Sequence, residues 1–191
     1  MAHDQKIRAF LAIELAADLK KALSEHLAGF ETQMTEFRLI APVHWHLTLH
    51  FFGNVLPDDL KRLETPLAHA MSTAKPFEFE LDRFGYFPDE GRARIFWIGL
   101  GGDRPSLTDL KKKIDQVLKI SGFPIEPRPF HPHITLARAK SRSGALVKPA
   151  ALPLPRKLPS QPVQRLTLFR SDLTPEGPHY LSLFSFPFAR S

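Results

Sequence analysis

Apolar residues in this chain follow two rhythms, one repeating every second position and one every third or fourth, and stretches of each alternate. Lys6 to Glu14 reads as a strand, with Arg8, Phe10 and Ala12 alternating with Ala9, Leu11 and Ile13. Leu15, Leu19, Leu23, Leu27 and Phe30 recur at helical spacing and predict an amphipathic helix ending near Gly29. Thr35 to Val43 is a connection in which Pro42 biases Ala41 toward extended backbone. His46 to Phe52 is a second strand, closed by Gly53-Asn54. Pro57-Asp58-Asp59 then opens a helix that buries Leu60, Leu63, Leu67 and Met71.

The second half repeats the order. Phe77 to Phe87 predicts a strand, followed by a turn over Pro88-Asp89-Glu90-Gly91. Ala93 to Leu100 is almost wholly apolar and predicts an interior strand, ending at a Gly101-Gly102-Asp103 turn. Leu107, Leu110, Ile114 and Leu118 mark a third helix that stops near Gly122. Pro127 to Pro132 is stiff and extended, and delivers the chain to a strand over His133–Ala139. Ser141 to Pro162 carries five prolines and little periodicity, and is expected to be a loop bordering the site. Gln164 to Arg170 and Tyr180 to Phe186 are two closing strands, joined by a turn through Pro175-Glu176-Gly177.

The Phe10 strand precedes His46 by 36 residues, the Trp97 strand precedes His133 by 36, and each interval holds one helix. This predicts a duplicated strand-helix-strand unit, about residues 6–53 and 93–139, inside one domain spanning 1–191. A pseudo-twofold relation between such units would set the two histidine strands side by side at the centre.

Those two strands carry the candidate chemistry. His46-Leu47-Thr48-Leu49 and His133-Ile134-Thr135-Leu136 are copies of one pattern. In a strand, alternate residues share a face, so each His stands with its Thr, opposite the apolar pair. A lone His-x-Thr is usually an ordinary half-buried pair; two copies facing one cleft form an acid/base couple. One imidazole removes a proton from a nucleophile and the other protonates a leaving oxygen, which suits in-line displacement at phosphorus. Thr48 and Thr135 are placed to donate to phosphoryl oxygens. Arg138, just past the second copy, offers a fork for a phosphate, with Arg8, Arg128 and Lys140 as lesser candidates. His44, His50 and His131 share strand parity with the pair if the strands extend that far, and His179 lies near a turn. Phe130, with Phe52, Phe84, Tyr86 and Phe87 behind it, is a candidate for stacking on a base.

Composition narrows the reading. The chain has 191 residues and no Cys, which removes thiolate catalysis, disulfides and Cys-based metal sites. No His-Glu-x-x-His motif is present, and no glycine-rich loop carries the Lys-Ser/Thr of a nucleotide-triphosphate site, so neither a metal nor a cofactor is expected. The N-terminus shows no secretory signal and no membrane span, so a cytoplasmic protein is expected. A net charge of +6 fits an anionic partner held in a groove.

These residues resemble the 2H phosphoesterase superfamily, defined by two His-x-Thr/Ser-x motifs. Arg8 to Leu15, His46 to Gly53, Ala93 to Gly99 and Arg128 to Arg138 look like its bacterial and archaeal RNA 2',3'-cyclic phosphodiesterase branch, first described as a 2'-5' RNA ligase. The resemblance implies an α+β, bilobal fold: two pseudo-symmetric lobes of mainly antiparallel sheet, with outer helices, around a central cleft. It implies that the C-terminal strands cross over to complete the first lobe. It further implies metal-independent hydrolysis of RNA 2',3'-cyclic phosphate ends to 2'-phosphomonoesters, with no cofactor, by a monomer that needs no membrane. RNA is the expected partner, tRNA fragments included. Carried over by position, His46 is the general acid and His133 the general base. Thr48 and Thr135 hold the nonbridging oxygens, and Arg138 binds the phosphate or ribose end. The two motifs alone carry no signal for which histidine gives the proton. Two competing readings are 2'-5' ligation as the main activity and an RNA- or nucleotide-binding module that does not turn over. Phe52, where the family commonly has Leu, is expected to affect packing only.

Overall fold

The predicted elements form in the computed structural model, which describes residues 5–146, 152–155, 157–174 and 177–189. In chain order they are β1 (Ile7–Glu14), α1 (Ala17–Ala28), β2 (Phe37–Leu39), β3 (His46–Val55), α2 (Pro57–Ser72), β4 (Phe77–Phe87), β5 (Arg92–Ala93), β6 (Ile95–Gly102), α3 (Arg104–Ile120), β7 (His133–Ala139), β8 (Ala145–Leu146), β9 (Gln161–Val163), β10 (Arg165–Thr174) and β11 (Gly177–Pro187). The fold is α+β. One antiparallel sheet runs β11-β10-β1-β3-β7-β6-β4-β9, with β2 also paired to β7. β5 and β8 form a separate two-stranded piece. The two histidine strands are therefore neighbours, with three strands outside each along this path. The C-terminal strands β10 and β11 cross back to extend the first half beside β1.

Alternation along the strands divides the sheet into two faces. On β1, Ala9, Leu11 and Ile13 join the main core, together with Leu19, Leu23 and Leu27 of α1, the α2 stripe Leu60, Leu63, Leu67 and Met71, and Leu107, Leu110, Ile114 and Leu118 of α3. Each fully buried leucine contributes roughly 1.5–3 kcal/mol, so these stripes anchor the helices more strongly than their caps do. Phe10 and Ala12 point the other way and pack with Phe169 and Tyr180 in a small second cluster. That second face carries the cleft.

Several boundaries differ from the sequence reading. β3 does not stop at Phe52: Gly53 and Asn54 still pair with Ala9 and Arg8, Gly53 at φ 68°, and the strand runs to Val55. Ala93 to Leu100 is broken at Arg94, because Arg92 and Ala93 pair with β8 while Ile95 onward pairs with β4 and β7. The connection 35–43 contains β2, held by β7. The proline-rich stretch holds β8 and β9, short pairings without an apolar period to announce them. Gln161 explains why β9 is fixed. Its side chain is buried, accepts the Ala16 N–H at 2.7 Å and donates to the Glu14 carbonyl at 3.3 Å, serving the start of an α1 helix whose Ala16 has no capping side chain. The remainder of the predicted loop at 147–151 and 156, and the turn residues Pro175 and Glu176, lie outside the described residues.

Candidate active site

The two motifs meet at a single cross-strand pair, Leu47 of β3 against Ile134 of β7. Continuing that antiparallel register one residue either way sets His46 against Thr135 and Thr48 against His133. Diagonal partners in such a pair stand roughly 7–8 Å apart, which leaves room for a phosphoryl group between the imidazoles. His46, Thr48, His133 and Thr135 all line one cleft of about 590 Å³.

Both imidazoles are held alike. His46 Nδ1 lies 2.7 Å from the His44 carbonyl oxygen, and His133 Nδ1 lies 2.7 Å from the His131 carbonyl oxygen. A carbonyl only accepts, so each Nδ1 carries the proton and donates it. Nε2 of each neutral ring is then the acceptor left for chemistry. Burial holds the His46 pKa down to about 4, further lowered by the nearby charges of Lys20, His44 and Arg138 against the raising effect of its carbonyl bond. Burial likewise lowers His133, with His131 and Arg138 adding to the effect. Without a ligand, both rings are neutral at neutral pH.

Aromatic rings fix each imidazole. Phe10 stacks on His46 with centroids 4.7 Å apart, and Tyr180 meets it edge-on at 5.3 Å. Phe87 meets His133 edge-on at 5.0 Å, and Trp97 does so at 6.3 Å. The Trp97 ring itself lies over Gly85, where a Cβ would come within 2.3 Å of it. Phe10 and Trp97 are the residues 36 positions before their histidines, so the spacing seen in the sequence marks ring partners.

A bulge then changes each strand's parity. β3 has an extra residue at Leu49 relative to β1, and β7 has one at Leu136 relative to β6. Past these bulges, Phe51 and Arg138 face the cleft, five residues after their respective histidines. His50 is turned away. It is 6% exposed, its Nε2 has no hydrogen-bond partner among the described residues, and its ring packs against Phe52. The expectation that His50 shares the catalytic face therefore fails.

The other candidates sort by position. Arg8 lines the cleft, its guanidinium 5.1 Å from the centroid of the half-exposed Phe51 ring. Arg128 is outside it, bound through two nitrogens to Glu126 at 2.8 and 2.9 Å. Lys140 is exposed at the end of β7 and is not part of the lining. Phe130 does not line the cleft either. It packs on the core, with the buried Lys111 ammonium 5.6 Å from its ring, so the stacking role expected of it is corrected. Phe52 packs on Phe123, and Phe84 and Tyr86 pack on Phe96, all toward the core. His44 lines the cleft, whereas His131 serves through its carbonyl and meets Trp97 and Phe87 edge-on. His179 is exposed and contributes charge against His44. Among the described residues no group of three or more His, Cys, Asp or Glu is placed to hold a metal ion.

Sequence reasoning missed Arg38, Tyr180 and Ser171, which also line the cleft. Arg38 lies on the short β2 and Tyr180 on a strand from the far end of the chain, and neither carries a local motif. Arg8, Arg38 and Arg138 line the cleft, and among the described residues no Asp or Glu does. The three guanidinium groups suit an anion, and the two imidazoles offer their Nε2 atoms for proton exchange.

The model of the family described as LigT like Phosphoesterase matches residues 13–97 and 101–180. A relative from Methanothermobacter thermautotrophicus, named RNA 2',3'-cyclic phosphodiesterase, is 30% identical over 180 residues, covering 93% of this chain and 97% of its own. One of the same name from Aeropyrum pernix is 34% identical over 153 residues, covering 78% of this chain and 84% of its own. The crystal structure of Escherichia coli LigT in apo form superposes with a TM-score of 0.78 at 26% identity, covering 98% of this chain and all of that one. The same protein complexed with 3'-AMP gives 0.78 over 97% of this chain.

Proposed function

The chain belongs to the LigT-like phosphoesterases, and from that premise we propose that it hydrolyses RNA 2',3'-cyclic phosphate ends to 2'-phosphomonoesters by a metal-independent, two-histidine mechanism. The observation that carries the proposal is the matched pair of imidazoles, each with Nδ1 tied to the carbonyl two residues earlier, in a cleft lined, among the described residues, by three arginines and no carboxylate.

The reacting phosphorus lies between the rings. Nε2 of His133 takes a proton from water as its oxygen attacks phosphorus. The P–O3' bond breaks on the opposite side, and His46 delivers its Nε2 proton to O3'. The products are a 2'-phosphomonoester and a free 3'-hydroxyl. Thr48 and Thr135 donate to the nonbridging oxygens, and the Arg138 fork binds the same anion. In the free protein burial lowers the pKa of both rings, that of His46 to about 4, so neither is a ready acid by itself. The assignment of His46 as acid rests on position-by-position resemblance. The phosphodiester anion supplies the missing step: placed beside His46, it favours the imidazolium and raises its pKa on binding. Phe51, with Arg8 above it, takes the base-stacking place first expected of Phe130. All groups come from one chain, which suffices as a monomer, and tRNA fragments are one source of such ends.

The test is incubation with an oligoribonucleotide ending in a 2',3'-cyclic phosphate, in the presence of EDTA. A 2'-phosphate product that disappears in His46→Ala and His133→Ala supports the mechanism. A 3'-phosphate product would reverse the leaving group, and loss of turnover in EDTA would remove the metal-free reading.

A further inference from the structure

Arg38 of β2 and Arg138 of β7 are direct cross-strand partners, and both line the cleft. Residues directly opposed in an antiparallel pair project from the same face, Cβ atoms about 4.5–5.5 Å apart, where like charges repel. Both side chains are exposed, and neither has a carboxylate partner among the described residues. Arg62, Arg104, Arg128 and Arg170 differ: each has an Asp or Glu oxygen within 3.1 Å. Here the repulsion is left standing in a cleft that has no acidic lining among the described residues.

The reacting group does not use all of this charge. A cyclic phosphate carries one negative charge, and Arg138 with the two threonines already matches its oxygens. Arg38, on the same edge of β7 as the histidine strand β3 but past the end of the β3 pairing, is surplus to it. The cyclic phosphate ends the RNA chain, so the next phosphodiester must lie on the 5' side of the terminal nucleoside.

We propose that Arg38 binds this upstream phosphodiester while Arg138 holds the reacting one, so that the enzyme selects oligonucleotide ends over mononucleoside cyclic phosphates. This subsite rests on the cyclic phosphodiesterase reading and narrows its substrate class. Two adjacent guanidinium groups, unfavourable in the free protein, become a two-phosphate clamp once RNA is bound.

The experiment compares kcat/KM for adenosine 2',3'-cyclic phosphate with that for the adenylyl dinucleotide bearing the same end, in the wild type, Arg38→Gln and Arg38→Lys. A charge-assisted contact of this kind is worth about tenfold or more, so the wild type should favour the dinucleotide by that factor. The ratio should fall toward one in Arg38→Gln and be partly kept in Arg38→Lys. The salt dependence for the dinucleotide should lose about 0.7 of its log–log slope in Arg38→Gln, as for one lost contact to a single strand. A wild-type ratio near one, a ratio unmoved in Arg38→Gln, or an equal loss on both substrates would overturn the proposal. Binding of the two 2'-phosphorylated products reads the same preference without turnover. If neither substrate reacted but the products bound with an Arg38-dependent preference, the phosphodiesterase reading would fall and the subsite would stand.

Discussion

Leu47 and Ile134 face each other at the one cross-strand pair that joins β3 to β7. Both are fully buried, and the histidines beside them face the opposite side of the sheet. A slip of one residue on either strand would bury a histidine and expose its apolar neighbour. The register that packs the core is thus the register that brings the two histidines together in the cleft, the pair proposed as acid and base.

The roles within that pair are separable. His46→Ala and His133→Ala should each lower kcat/KM on the cyclic phosphate by roughly 10²–10⁴, the usual worth of a positioned acid or base. A 3'-thio analogue leaves as a thiolate and needs no proton from the enzyme. It should restore most of the lost rate in His46→Ala and little in His133→Ala. Rescue of the His133 variant instead would exchange the two roles.

His46 also links pH to stability. The ring titrates near 6.5 in the unfolded chain and about 4 in the folded protein, with burial the main cause. Above pH 6.5 neither state is protonated there, and the site costs nothing. As pH falls from about 6.5 toward 4 the unfolded chain gains a proton that the folded site refuses, so stability is lost across that window. The loss should approach about 3 kcal/mol. Urea melts of the wild type and His46→Gln at pH 7 and pH 4.5 isolate it: between the two pH values the wild type should lose more stability than the variant, which has no imidazole there to titrate. An unchanged gap would contradict the burial of a neutral ring.

Gly85 holds His133 in place at second hand. A Cβ there would stand 2.3 Å from the Trp97 ring, which with Phe87 walls the His133 imidazole. Gly85→Ala should force the indole off its seat, costing about 1–3 kcal/mol as overpacking does. It should lower kcat more than it raises KM, because the base moves while the arginines stay. Trp97→Phe in the same chain provides space, and a thermal melt of the double variant should recover part of the stability lost in the single one.

The sequence made the helices, the central strands and both histidines legible because each is written in a local period. Leucines at helical spacing and alternation around His46 and His133 need no distant partner to be read. The bulges at Leu49 and Leu136 are different: an extra residue in a ladder depends on the opposing strand, and no local residue type marks it. Strict alternation therefore put His50 on the wrong face. It would have put Arg138 there as well, had the chemistry of its fork and its place in the motif not selected it. Phe130 was misplaced because a Phe beside the motif reads the same whether it meets a base or, as here, Lys111. Arg38 and Tyr180 reach the cleft only through pairings of β2 with β7 and of β11 with β10, which are long-range facts.

Arg138 joins the electrostatics of the cleft to its binding. Burial is the first cause of the low pKa of both His46 and His133, and the charge of Arg138 adds to it in each. Removing that charge should let both rings protonate at higher pH. The acid-competent form of the free enzyme would then persist further up the scale, so the kcat/KM optimum of Arg138→Gln should move to higher pH. Its magnitude should fall by about 10–100-fold through the lost charge-assisted bonds. Arg138→Lys keeps the charge and loses the planar fork, so its optimum should stay with the wild type while KM rises. Full pH profiles of the three proteins on one substrate separate the two effects. An optimum that moved equally in both variants would mean that the geometry of the fork, not its charge, governs the histidines.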